Sequence, residues 1–197
     1  VDAEQIEAYA EEVSSDPLVP ELNSKVTVKK VKDDVYGAQL ITLSNGIRVH
    51  VLKTDYSPNN ISMQAVSWGG SSLYPNSEYN LADNASLVQI GGWGQFSAID
   101  LQKKLSGKQA SVSPSISDRT EALHGACVKK DLETMLQLTY LCFTSPRKDD
   151  EAYNSMLERV RNSLKNADMN PATALSDSVA SVVYNNNVRA VRLRAED

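Results

Sequence analysis

The sequence predicts an α+β domain: an antiparallel sheet with helices packed on one face. Three observations point there. Apolar residues flank Ser44-Asn45-Gly46 as two short strands, a second strand pair surrounds Ser117-Asp118-Arg119-Thr120, and the final third up to Tyr184 has helical spacing. Strands, two helices, strands and then three helices keep the two kinds of element apart, as in a sheet covered on one side.

Taken in order, the first stretch runs from Asp2 to about Ser14, where Ile6, Tyr9, Ala10 and Val13 fall at helical spacing and Asp2 and Gln5 stand as a capping box would place them. Pro17 and Pro20 then end any helix and favour an extended path. Residues 1–35 are therefore expected to be a connector with an N-terminal helix, leading into a single domain over 36–197 rather than adding to its core. Gln39 to Leu43 and Ile47 to Lys53 form a hairpin, because Asn-Gly between apolar runs accepts the positive φ of a tight turn. Ile47, Val49 and Val51 alternate onto one face of it, and Ile61 to Trp68 is a third strand closing at Gly69-Gly70. Tyr79 to Ile90 is expected as a helix with Leu81, Ala85 and Val88 at core spacing, followed by the turn Gly91-Gly92-Trp93-Gly94. Ser97 to Leu105 is another helix, stopped by Ser106-Gly107.

Ala110, Val112, Pro114 and Ile116 alternate with Ser111, Ser113 and Ser115, the pattern of a strand with one packed and one polar face. Pro114 cannot donate to a ladder, which puts this strand at an edge or a bulge. Glu121 to Val128 pairs with it. Leu132 to Phe143 is a helix ending before Pro146, and Asp150 to Lys165 is a second, with Tyr153, Met156, Leu157, Val160 and Leu164 on one stripe. The last helix runs from about Pro171 to Tyr184, with Asn170 as N-cap, Pro171 at the first position and Leu175, Val179, Val182 and Val183 as its apolar face. The tail from Asn185 to Asp197 alternates poorly and reads as a segment leading out of the domain.

Composition narrows the function. At 197 residues the chain holds one well-packed domain, and its 41% apolar and 23% charged residues are those of a globular protein. A net charge of -5 argues against nucleic-acid binding, since the basic run Lys25, Lys29, Lys30 and Lys32 is followed at once by Asp33 and Asp34 and reads as a solvated face. The apolar runs are far shorter than the ~20 residues of a membrane helix, so no membrane span is expected. Val1-Asp2-Ala3-Glu4 is acidic where a secretory signal would be basic and apolar; the compartment is left open. Cys127 and Cys142 sit among apolar neighbours and read as buried free thiols rather than as a disulfide or metal pair.

The order of elements resembles a domain of the pitrilysin/insulinase family of zinc peptidases. Members open each half with a strand pair around Leu-x-Asn-Gly-x-x-Val, matched by Leu43-Ser44-Asn45-Gly46-Ile47-Arg48-Val49. A strand ending in small residues follows, matched by Ala65-Val66-Ser67-Trp68-Gly69-Gly70-Ser71, and later an acidic-apolar helix, matched by Lys130-Asp131-Leu132-Glu133-Thr134-Met135-Leu136. Pro146 and the helix around Tyr153 to Leu164 complete a likeness that covers residues 36 to 190. Active repeats carry His-x-x-Glu-His in the helix between these motifs: two imidazoles for the metal and a carboxylate as general base. Here those places read Asp83, Ser86 and Leu87, within Leu81-Ala82-Asp83-Asn84-Ala85-Ser86-Leu87.

The resemblance thus implies a processing-peptidase-like metallohydrolase repeat that is itself non-catalytic, from the C-terminal half of a zinc protease and cut short before a following repeat. It implies no catalytic and no metal-binding residues in this chain, with zinc held by the catalytic half, where metal-bound water attacks the peptide carbonyl. The partner is that half of the same protein or a paired subunit, and the substrates are peptides. This domain would form part of the enclosing chamber, with the polar strand face of Ser111, Ser113 and Ser115 a candidate lining. The alternative is a purely structural member, like the non-catalytic processing-peptidase subunits and related respiratory core proteins.

Other constellations are weaker. In active repeats a Glu of the later helix is the third zinc ligand; Glu151 and Glu158 fall in that helix, and without two His neighbours either reads as a solvated residue. His50 and His124, the two histidines of the chain, both lie on predicted strands and read as structural, although a small-molecule enzyme using one of them remains a rival class. No Gly-x-Ser-x-Gly elbow supports a serine triad. Gly91-Gly92-Trp93-Gly94 follows a helix rather than a strand and lacks the Lys-Ser/Thr pair of a phosphate loop, so it reads as a close-packed turn.

Overall fold

A computed structural model of the chain describes residues 14–22 and 24–195, apart from the side chains of Ala82, Asp83 and Ser86. The expected helix over Asp2 to Ser14 lies outside the described residues. The architecture is α+β, with antiparallel sheets and helices on one face. The strands form two three-stranded sheets rather than one. The first has the order β1-β2-β3, with β1 Val28–Asp33, β2 Gln39–Leu43 and β3 Arg48–Val51.

The hairpin forms where Asn45-Gly46 predicts it, with Gln39 opposite Val51 and Thr42 opposite Arg48. Gly46 has φ 92 and its N–H donates to the Leu43 carbonyl at 3.0 Å, while the Leu43 N–H donates to Ile47 O at 2.9 Å. The stretch expected to be a connector contributes β1, antiparallel to β2, with every residue exposed, so the lysine run is a solvated strand face.

The second sheet positions the core. β4 (Asn60–Trp68) and β5 (Ala110–Ile116) flank β6 (Thr120–Val128), in the order β4-β6-β5. β5 is an edge, which is where Pro114 can lack an N–H without breaking a ladder. Because side chains alternate across a strand, Val112, Leu123 and Cys127 share one face, and α3 (Leu132–Thr144) lies in contact with β5 and β6. Met135, Leu138, Leu141 and Cys142 of α3 complete the buried cluster. Gly125 lets the layers close: a Cβ there would lie 2.9 Å from both Met135 Sδ and Met63 Cε. Burial pushes the thiol pKa of Cys142 up, and burial followed by the Asp131 charge does the same for Cys127, so both free thiols are poor nucleophiles.

The core draws on the N-terminal stretch as well. Val19 is buried in the same cluster and Leu18 packs against it, while Lys104 Nζ holds the Ser14 carbonyl at 2.9 Å. The chain bends at Leu18 and Val19, between Pro17 and Pro20, and lays this short apolar pair against the core as a strap.

One predicted element is different. Tyr79 to Ile90 is not one α-helix: α1 covers only Tyr79–Ala82, and a 3-10 helix takes over from Asp83–Gln89. Asn80, Asp83, Asn84 and Ser86 are residues whose side chains compete for backbone groups, and Asn84 Nδ2 does donate to the Asn80 carbonyl at 2.7 Å. The core stripe expected there fails with the helix. Leu81 is 70% exposed and Val88 37%.

Gly91 and Gly92 behave as close-packing residues: an added Cβ would lie 2.1 Å from the Arg147 carbonyl oxygen at Gly91 and 2.3 Å from that of Phe96 at Gly92. α2 (Ala98–Lys104) is capped by Ser97, whose hydroxyl accepts the Asp100 N–H at 3.1 Å. α4 (Asp150–Asp168) is capped by Asp149 and α5 (Pro171–Val183) by Asn170, with Pro171 at its first turn as the sequence predicts. The apolar stripe of α5 is not covered; Leu175, Val179, Val182 and Val183 are all exposed.

Three carboxylates have pKa values held below the ordinary 3.8. The Val35 N–H and then His50 lower Asp34, the Ala152 N–H and then Arg147 lower Asp149, and Arg192 lowers Asp177. A depressed folded-state value gives stability that is fully present above the unfolded pKa and lost as pH falls through the folded one. The urea midpoint is therefore expected to hold between pH 7 and about pH 5 and to fall below about pH 4, and Asp149→Asn should weaken that fall. An acid limb of unchanged steepness in the variant would count against this assignment.

Candidate functional site

The polar alternation of β5 continues across the sheet. Ser111 and Ser113 stand beside Ala126 and His124 of β6, which in turn face Ser62 and Gln64 of β4. Together with Met63 and Gly125 they line an open depression of about 540 Å³ on the face away from α3. Gln64, His124 and Ser113 form one row across the three strands. Ser113 Oγ accepts from Gln89 Nε2 at 3.2 Å, which ties the end of the 3-10 stretch to this row. The lining holds no carboxylate, lysine or arginine, so it offers mainly hydrogen-bond donors and acceptors suited to amides and hydroxyls. Ser115, expected with Ser111 and Ser113, stands opposite Ala122 and is half-buried.

The positions Asp83, Ser86 and Leu87 lie on the 3-10 stretch; the side chains of Asp83 and Ser86 are outside the described residues, and Leu87 is half-buried. Their chemistry does not fit a catalytic zinc site, which takes three protein donors of the His, Cys or carboxylate type. One carboxylate, one hydroxyl and one hydrocarbon supply a single such donor. A 3-10 helix has three residues per turn, so residues four apart no longer share a face as they do in an α-helix.

The two histidines are on different sheets. His50, on β3, donates from Nδ1 to Asp34 Oδ2 at 2.7 Å, and Asp34 also accepts the Val35 N–H at 2.8 Å. That pair fastens the turn after β1 to the far strand of the first sheet. His124 lies in the polar row. Among the described residues no group of three His, Cys, Asp or Glu side chains is gathered as a metal set. Glu151 is in the exposed first turn of α4, and Glu158 meets Arg161 Nη1 at 3.3 Å on its surface.

Several polar residues that sequence reading passed over are structural. Asp131, 2% exposed, accepts the Gln109 N–H at 2.8 Å at the entry to β5, with Lys108 Nζ 3.7 Å away. Arg147 Nη1 donates to the Gly91 carbonyl at 2.9 Å and to Asp149 Oδ2 at 2.7 Å, joining the glycine turn to the start of α4. The tail expected to lead outward is anchored by side chains along its way. Arg192 spans Asp177 Oδ2 at 2.7 Å and Asp168 Oδ1 at 2.5 Å, and these carboxylates push its already high pKa further up. Asp149, just ahead of α4, carries a cap signature in the sequence; Gly91, which Arg147 also meets, and the carboxylates that hold Arg192 are too distant along the chain to leave one.

No family model matches the chain. A probable zinc protease PqqL of Haemophilus influenzae is 29% identical over 139 residues, covering 70% of this chain and 15% of the relative. A PqqL-like zinc protease of Arabidopsis thaliana is 26% identical over 167 residues, 82% of this chain and again 15% of the relative. These likenesses to zinc proteases support the pitrilysin/insulinase-type resemblance seen in the sequence. It spans about 15% of the length of the curated relatives it matches. The fold agrees: the periplasmic protease PqqL from Escherichia coli superposes with a TM-score of 0.78 at 21% identity, over 98% of this chain and 21% of that one. The ferredoxin protease FusC, solved in complex with Arabidopsis ferredoxin, gives 0.74 at 18% identity over 94% and 21% of the two chains. Among the described residues no helix is long and apolar enough to cross a membrane.

Proposed function

We propose that this chain is a non-catalytic domain from the C-terminal half of a zinc metalloendopeptidase, forming part of the wall that encloses a peptide while the other half holds zinc and hydrolyses it. The observation that carries this reading is the donor set at Asp83, Ser86 and Leu87, which lacks both imidazoles and the general base of the family motif. The polar row of Gln64, His124 and Ser113 is suited to a wall that touches extended peptides through their amides. The exposed stripe of α5 supports a partner half, because a contiguous apolar face on one side of a helix is normally covered.

The test is a metal assay and a peptide-cleavage assay on the isolated chain, then on the chain combined with its catalytic half. The isolated chain is expected to hold no stoichiometric zinc and to cleave no peptide; the combined protein is expected to do both. Tightly bound zinc at one per isolated chain would overturn the proposal. So would a combined protein that encloses no peptide.

A further inference from the structure

The stretch from Tyr79 to Gln89 packs beside β5 without burying any described side chain fully, and Leu81 at its near end is 70% exposed. It is nonetheless fastened at both ends. At its far end Gln89 reaches Ser113 at 3.2 Å. At its near end the fastening is a single side chain from the segment after α5. Arg189 donates from Nε to Asn76 Oδ1 at 2.7 Å, from Nη1 to the Ser71 carbonyl at 3.1 Å and from Nη2 to the Tyr74 carbonyl. Its guanidinium also stacks over the Tyr79 ring, 4.7 Å from the centroid. Only a planar fork can meet three acceptors and a ring face together, which a lysine ammonium cannot copy.

The arginine is itself held in place. Asn185 and Asn186 have φ 50 and 54, turning the chain back at the end of α5, and Asn187 Oδ1 accepts the Arg189 N–H at 3.0 Å. Three residues on, Arg192 is locked between Asp168 and Asp177, so the exit segment is tied to α4 and α5 by one arginine and to the 71–79 stretch by the other. We propose that Arg189 is a latch through which the exit segment after α5 sets the position of Tyr79 to Gln89 and, by way of Gln89, the row of Ser113 and His124. Movement of whatever follows α5 is thereby transmitted to the polar face of the sheet.

Amide hydrogen exchange on the whole chain tests this, comparing the wild type with Arg189→Ala and Arg189→Lys. Both variants are expected to speed exchange over residues 74–89 by about ten-fold or more, since charge-assisted bonds are lost from a segment with no fully buried described side chain. Exchange in β4, β6 and α3 should stay as it was. Arg189→Lys keeps the charge and carries the test if the alanine variant does not fold. Unchanged exchange over 74–89 would overturn the latch, and so would an even rise across β4, β6 and α3, which would mark Arg189 as a general stabiliser.

Discussion

Trp93→Ala is expected to cost about 3–5 kcal/mol of folding stability, the range for emptying a large aromatic site in a core. Trp93 is 4% exposed and lies within the buried cluster, bridged to Phe96 and to Pro146. Its indole Nε1 is buried without a hydrogen-bond partner among the described residues. An unpaired buried donor is itself unfavourable by about 1–3 kcal/mol, so Trp93→Phe should be far milder than Trp93→Ala. The phenyl ring loses some volume and removes the orphan N–H, and the two effects oppose each other. Urea unfolding of both variants measures this. Equal losses would mean that the indole nitrogen is in fact satisfied.

Gly70→Ala should destabilise by at least about 3 kcal/mol, because it combines left-handed backbone with a collision against main chain. Gly70 has φ 65, and a Cβ there would lie 2.1 Å from the Ser117 carbonyl oxygen and 2.7 Å from the Thr120 nitrogen. The neighbouring Gly69, Ser71 and Ser72 N–H groups all donate into the turn between β5 and β6, to Arg119, Ser117 and Asp118. Displacing Gly70 would therefore loosen the hairpin that carries Ser113 and His124. Gly107→Ala is the control: φ is 76, but nothing lies within 4 Å of the added carbon, so only the backbone strain of about 1–2 kcal/mol remains. A Gly70 variant no worse than the Gly107 variant would sink the close-approach argument.

What could be read from the sequence was local chemistry. Asn45-Gly46 specified a turn, Asn170-Pro171 a helix start and Pro114 an edge, because in each case the residue's own backbone needs dictate the geometry. The Ser111, Ser113 alternation exposed a polar face for the same reason. Tyr79 to Ile90 misled because apolar spacing alone does not make an α-helix. Leu81, Ala85 and Val88 had the period, but Asn80 and Asn84 had a competing hydrogen bond to make. The split of the strands into two sheets and the roles of Asp131, Arg189 and Arg192 depend on partners far along the chain, such as Ser71 for Arg189. No window of sequence contains both ends of those contacts. Of the candidate site, the Ser111 and Ser113 face could be read along the chain, while its continuation through His124 to Gln64 depends on the strand order β4-β6-β5.

The strap at Leu18 and Val19 matters for anyone who trims this chain. A version beginning at residue 36, where the repeating pattern of strands and helices starts, would discard Val19 from the cluster around Leu138 and β1 from its ladder with β2. The shortened protein would carry a dent in its interior and a freshly bared sheet edge, the kind of surface that pairs with other molecules. Poor solubility in such a fragment would then report the cut, and would say nothing about the native behaviour of the domain.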